Sequence, residues 1–156
     1  MNTGSIDITI PALAFKELRP PFTYLVVAYK MLAGAKVLVA STPIQEQPLA
    51  LLCAHTLECS LKAFITRNGD DSKVKKIGDY HDLVLFWSEA EKDGLCISKY
   101  HPDWVTILSE IHKAPYALRY LGGENKTYVN LIQTPEPFSM IIELEKLLNQ
   151  VKNQIA

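Results

Sequence analysis

His55, Glu58 and Lys62 fall three and four residues apart within Leu49 to Ile65, a stretch whose apolar pattern is helical. One helical face therefore carries an imidazole, a carboxylate and an ammonium within two turns. An imidazole moves protons near neutral pH, a carboxylate accepts hydrogen bonds and fixes ring tautomers, and an ammonium holds anions. The opposite stripe, Ala50, Cys53, Leu57, Ser60, Leu61 and Phe64, is small to apolar and should be buried. A solvated helix scatters its charges and a core helix has none, so the polar stripe is either a lattice or a site. In the plain account Glu58 and Lys62 form an i, i+4 ion pair in the favourable order, about 0.3 to 0.5 kcal/mol if exposed. In the other, a polar cluster at a helix interface also recruits His55, His81 or Arg119.

His81 directly precedes Asp82 at the start of a helix, where the carboxylate meets the positive helix end and the imidazole can bond a neighbouring loop. Helix capping is the simplest role for this pair. A metal reading takes His55 and Cys59, one turn apart, with Cys53, His81 and Cys96. No CxxC or HExxH spacing is present, and Cys53 and Cys59 lie on different faces, so neither a metal nor another cofactor is expected. His112, three residues before Pro115, is expected to satisfy a local carbonyl, and His101 lies just before the same helix. No cysteine has a persuasive triad, and no residue is assigned as catalytic.

The elements that must position these residues are helices. With 156 residues, 48% of them hydrophobic and 21% charged, the chain fits one globular domain with a real core. The domain takes in residues 1–156, with its core over about 22–155 and an N-terminal extension over 1–21. Pro20-Pro21 precedes a first helix from Phe22 to about Ala40. Thr42-Pro43-Ile44-Gln45 offers a capping box for a second, running to about Arg67 and ended by Asn68-Gly69. Asp79 caps a third, which stops at Asp93-Gly94. A fourth starts near Pro102 and carries Val105, Leu108, Ile111 and His112 toward Pro115, and Thr134-Pro135 caps a last helix through Ile155. Ile6 to Ile10 and Tyr128 to Ile132 are short and β-like. The predicted class is all-α, a four- to five-helix up-and-down bundle with short β-like edge segments.

Sixteen Lys and Arg against seventeen Asp and Glu leave a net charge of -1, which excludes a protein held to nucleic acid by its overall field. Lys73-Val74-Lys75-Lys76 is read as a solvated loop. An odd count of three cysteines and the lack of a signal-like N-terminus fit a reducing cytoplasm. Lys30 and Lys36 interrupt the apolar run from Phe22 to Ala40, each costing roughly 3 kcal/mol near a bilayer centre, so no membrane span is expected. Trp104, Tyr116, Tyr120 and Tyr128 are more large aromatics than one helix end and its loop can hide, and they predict a homodimer.

Three pieces, in order, resemble the HEPN-like superfamily of prokaryotic all-α domains over roughly Pro43 to Tyr120. They are Ala54-His55-Thr56-Leu57-Glu58-Cys59-Ser60-Leu61-Lys62-Ala63-Phe64 as that family's second helix, Tyr80-His81-Asp82-Leu83 opening the third, and Leu118-Arg119-Tyr120 after the fourth. The resemblance implies a helical bundle and frequent dimers. It also implies either metal-independent RNA cleavage or a non-catalytic binding role beside toxin-antitoxin and phage-defence systems. Active members carry an Arg followed four to six residues later by a His. Here Arg119 is followed by Tyr120, Leu121, Gly122, Gly123, Glu124 and Asn125, and Asn cannot shuttle the proton. The expected function is a non-catalytic, dimeric HEPN-like module that binds a protein, nucleotide or RNA partner in a bacterial stress or phage-defence setting. Arg119, Glu58, Lys62, His55 and His81 are its candidate ligand-binding residues. The alternative is a metal-independent ribonuclease with a degenerate site.

Overall fold

The computed structural model describes residues 19–77, 81–113 and 136–155, and every regular element among them is helical. They are α1 (Phe22–Val39), α2 (Glu46–Ile65), α3 (Ser72–Lys76), α4 (Leu83–Lys92), α5 (Asp103–His112) and α6 (Pro137–Ile155). The all-α prediction holds, and no strand occurs among the described residues. Both β-like segments, Ile6 to Ile10 and Tyr128 to Ile132, lie outside them.

Helix α2 is the centre of the bundle, with α1, α4, α5 and α6 packed against it. The small-to-apolar stripe is buried as predicted: Ala50, Cys53, Leu57, Leu61 and Phe64 are all closed to solvent. Each large side chain among them contributes roughly 1.5 to 3 kcal/mol. The polar stripe goes inside as well, since Glu58 and Lys62 are also buried. Thr56, Ser60 and Thr66 tolerate burial by donating to the carbonyls four residues earlier, Leu52, Thr56 and Lys62. Gly34 lets α1 approach closely: a Cβ there would lie 3.1 Å from Leu52 Cδ1 on α2. On its other side α1 meets α6, where Lys36 pairs with Glu145 at 2.5 Å and Tyr29 reaches Asn149.

Three boundaries correct the sequence reading. Helix α2 starts at Glu46, and the expected capping box at Thr42-Pro43-Ile44-Gln45 does not form. Pro48 explains this: a helix begun at Pro43 would drive the Pro48 ring into the carbonyl of Ile44, whereas in the first turn its missing N–H costs nothing. Asp82, not Asp79, caps α4; its Oδ1 accepts from the backbone N–H of Val84 at 3.0 Å and Leu85 at 3.1 Å. Lys73-Val74-Lys75-Lys76, read as a loop, lies in the single turn α3, because Val74 buries against the core while Lys73 pairs with Asp93 and Lys75 with Asp71. The end of α4 is as expected. Gly94 takes φ 95°, Gly94 N–H donates to Glu91 O and Leu95 N–H to Ala90 O, the two bonds of a glycine-closed helix C-terminus.

Candidate functional site

Glu58 sits in the middle of α2, and the elements around it are ordered so that three imidazoles reach one carboxylate oxygen. Ser109 Oγ, on α5, donates to Asp82 Oδ1 and accepts from Leu83 N–H at 3.0 Å, which ties the start of α4 to α5. That clasp fixes His81, the residue before the cap, facing α2. Its Nδ1 lies 3.2 Å from Glu58 Oε2. His112, the last residue of α5, is wholly buried and places Nε2 2.7 Å from the same oxygen. His55, one turn before Glu58 on α2, brings Nδ1 to 4.0 Å. The rings of His55 and His81 both meet that of His112 edge to face, with centroids 5.0 Å and 5.2 Å away.

The other carboxylate oxygen belongs to Lys62, whose ammonium donates to Glu58 Oε1 and lies 4.9 Å above the Phe86 ring on α4. Burial alone would push the Glu58 carboxyl up. The hydrogen bond from His112 and the charge and hydrogen bond of Lys62 outweigh it and hold the group at about 2, so it is a carboxylate at every physiological pH. The cluster opens outward on one side: the His55 and His81 side chains are 31% and 22% exposed, against 0% for His112. His112 Nδ1 is buried and has no hydrogen-bond partner among the described residues.

Of the five candidate residues, Glu58, Lys62, His55 and His81 come together, in the interface cluster rather than in an exposed ion pair. Arg119 lies outside the described residues. His112 was misread, because it bonds a carboxylate on another helix and not a local carbonyl. A signal was present: it shares the apolar spacing of Val105, Leu108 and Ser109 on α5, where an imidazole has no business unless something polar faces it. Asp82 caps α4 as the pair reading expected, but His81 turns to Glu58. Cys59 feels the charges of Glu58 and Lys62, but neither buried thiol is poised as a nucleophile. Burial pushes Cys53 and Cys59 up to about 12, which leaves both as inert thiols, and Cys96 is exposed beside Gln154 on α6.

Two chemical capacities follow. Glu58 orients imidazoles and cannot itself carry protons near neutral pH, whereas His55 and His81 present partly open rings to whatever docks over them. Comparison with known proteins returns nothing: no family model, curated protein or solved structure matches the chain.

Proposed function

We propose that this chain is a non-catalytic, HEPN-like helical binding module, dimeric and cytoplasmic, with the imidazole-lined opening over Glu58 as its ligand seat. The observation that carries this reading is the saturation of Glu58. Oε1 is held by Lys62 and Oε2 by His112 and His81, so the buried acid is neither a nucleophile nor a proton carrier, and the Lys62 ammonium is already committed. Such a network rigidifies the floor of a site and leaves recognition to the exposed ring faces. A protein, nucleotide or RNA partner with hydrogen-bonding edges suits that opening. Among the described residues two helices, α1 and α2, are long and apolar enough to cross a membrane; α2 turns most of that surface into the bundle, and α1 shows Phe22, Val26 and Val37 on its outer face. We assign that outer face to the homodimer contact.

The second reading is metal-independent RNA cleavage. It is favoured by the convergence of His55 and His81, the proton-transfer groups that the sequence around Arg119 lacks. Incubating labelled single-stranded RNA with the protein in EDTA separates the two. The binding reading expects RNA of unchanged length, with any complex seen as slower migration. Cleavage abolished by Arg119→Ala or His81→Ala would replace it with the enzymatic reading.

A further inference from the structure

Three imidazoles gather around one oxygen of Glu58. One cation neutralises its charge, and Lys62 supplies it; two donors fill Oε2, and His112 and His81 are within reach of doing so. His55 Nδ1 nevertheless points at the same oxygen from 4.0 Å, too far for a hydrogen bond. His112 is buried with one ring nitrogen unpartnered among the described residues, a cost that an apolar residue of similar size would avoid. Nitrogen atoms of His55 and His112 and an oxygen of Glu58 all lie within 4.8 Å of one another, and His81 Nδ1 stands 3.2 Å from that carboxylate.

We propose that His55, Glu58 and His112 form a three-residue binding site for a zinc-type divalent cation. Donor chemistry chooses the cation class. Imidazole nitrogens with a single carboxylate oxygen suit zinc, cobalt and nickel, whereas calcium and magnesium require a shell of oxygens that the described residues do not supply here. Distance fits too. With bonds of about 2.0 to 2.1 Å, ligand atoms of a tetrahedral site lie roughly 3.3 Å apart. The separations from Glu58 Oε2 of 2.7 Å for His112 and 4.0 Å for His55 bracket that value, and the three ligand atoms lie within 4.8 Å of one another, so the shell closes by drawing the two imidazoles together. Coordination takes the lone pair of each neutral imidazole and moves the ring proton to its other nitrogen. Lys62 is the built-in competitor, because its ammonium already occupies the carboxylate and repels a dication placed on the opposite oxygen. The cation would clasp the middle of α2 to the end of α5. The cation would sit in the floor of the proposed ligand seat, and its binding is read with no partner present.

The test uses the full chain, treated with EDTA, desalted and titrated with Zn²⁺ against a chromophoric chelator, and with Co²⁺ followed by visible absorption. One equivalent should bind in the micromolar range or tighter. His55→Asn, at a partly exposed position that spares the fold, should weaken binding by about 10- to 100-fold or more. Lys62→Met should tighten it by about tenfold or more. The Co²⁺ complex should show ligand-field bands without thiolate charge transfer. Absence of stoichiometric binding, binding unchanged in His55→Asn, or binding abolished by Cys96→Ser would each overturn the proposal.

Discussion

His112 Nε2 lies 2.7 Å from Glu58 Oε2, joining the last residue of α5 to the middle of α2 across 54 positions of sequence. Removing Glu58 strands Lys62 as a buried cation and leaves His112 with neither ring nitrogen bonded among the described residues. Glu58→Ala should therefore cost about 3 to 5 kcal/mol in urea unfolding, far above a surface pair. Glu58→Gln keeps the volume and one acceptor and should cost less. A loss below about 1 kcal/mol for Glu58→Ala would contradict the buried network.

Acid should unfold the metal-free protein through the same group. The Glu58 carboxyl stands at about 2 in the folded chain against an ordinary 4.5, so between those values the folded state binds fewer protons than the unfolded. The stabilisation is complete above about pH 5 and is lost as pH falls through 4.5 toward 2. Urea midpoints taken at intervals from pH 7 to pH 3 in EDTA should fall steeply below pH 5 for the wild type. The same series in Glu58→Gln should be flatter.

Asp82 holds α4 to α5 as well as capping it, since Ser109 Oγ donates to the oxygen that caps Val84 and Leu85. Asp82→Ala should cost roughly 1 to 2 kcal/mol, or about 2 to 8 °C in Tm by calorimetry, while far-UV circular dichroism stays nearly unchanged. Ser109→Ala, which leaves the backbone cap intact, should cost less.

Association should use the outer face of α1. Phe22, Val26 and Val37 share one side of that helix at exposures of 58, 37 and 71%. Light scattering at tens of micromolar should give twice the 17.5 kDa chain mass, and Val37→Glu should return it to the monomer value. Trp104 is no part of that face, for it is buried with Nε1 donating to Glu143 Oε2 at 2.6 Å. Tyr116, Tyr120 and Tyr128, expected to share its interface, lie outside the described residues.

The helices were legible because period and punctuation agree. The stripe from Ala50 to Phe64 keeps its spacing for four turns, and Asp93-Gly94 stops α4 by the backbone chemistry that a glycine there predicts. Starts were harder to read. A Ser or Thr before a proline looks like a cap wherever it stands, and only the later Pro48 disqualifies Thr42. The Glu58–Lys62 pair was visible as local spacing, whereas His81 and His112 reach it by packing of α4 and α5, which no local pattern encodes. An imidazole inside an apolar stripe, as at His112, was the available clue.

The claim that one carboxylate organises three imidazoles is tested most directly by ¹⁵N–¹H NMR of the histidine side chains, of which the chain has four. Replacing Glu58 by Gln should shift the ring-nitrogen signals of His55, His81 and His112. It should leave His101 unmoved, since that ring lies instead beside the Pro102 carbonyl and the Thr106 hydroxyl. In the metal-free wild type, kept in EDTA, His112 should show a hydrogen-bonded Nε2–H. Signals of His81 and His112 that ignore Glu58→Gln, or a His101 shift as large as theirs, would contradict the Glu58-centred site.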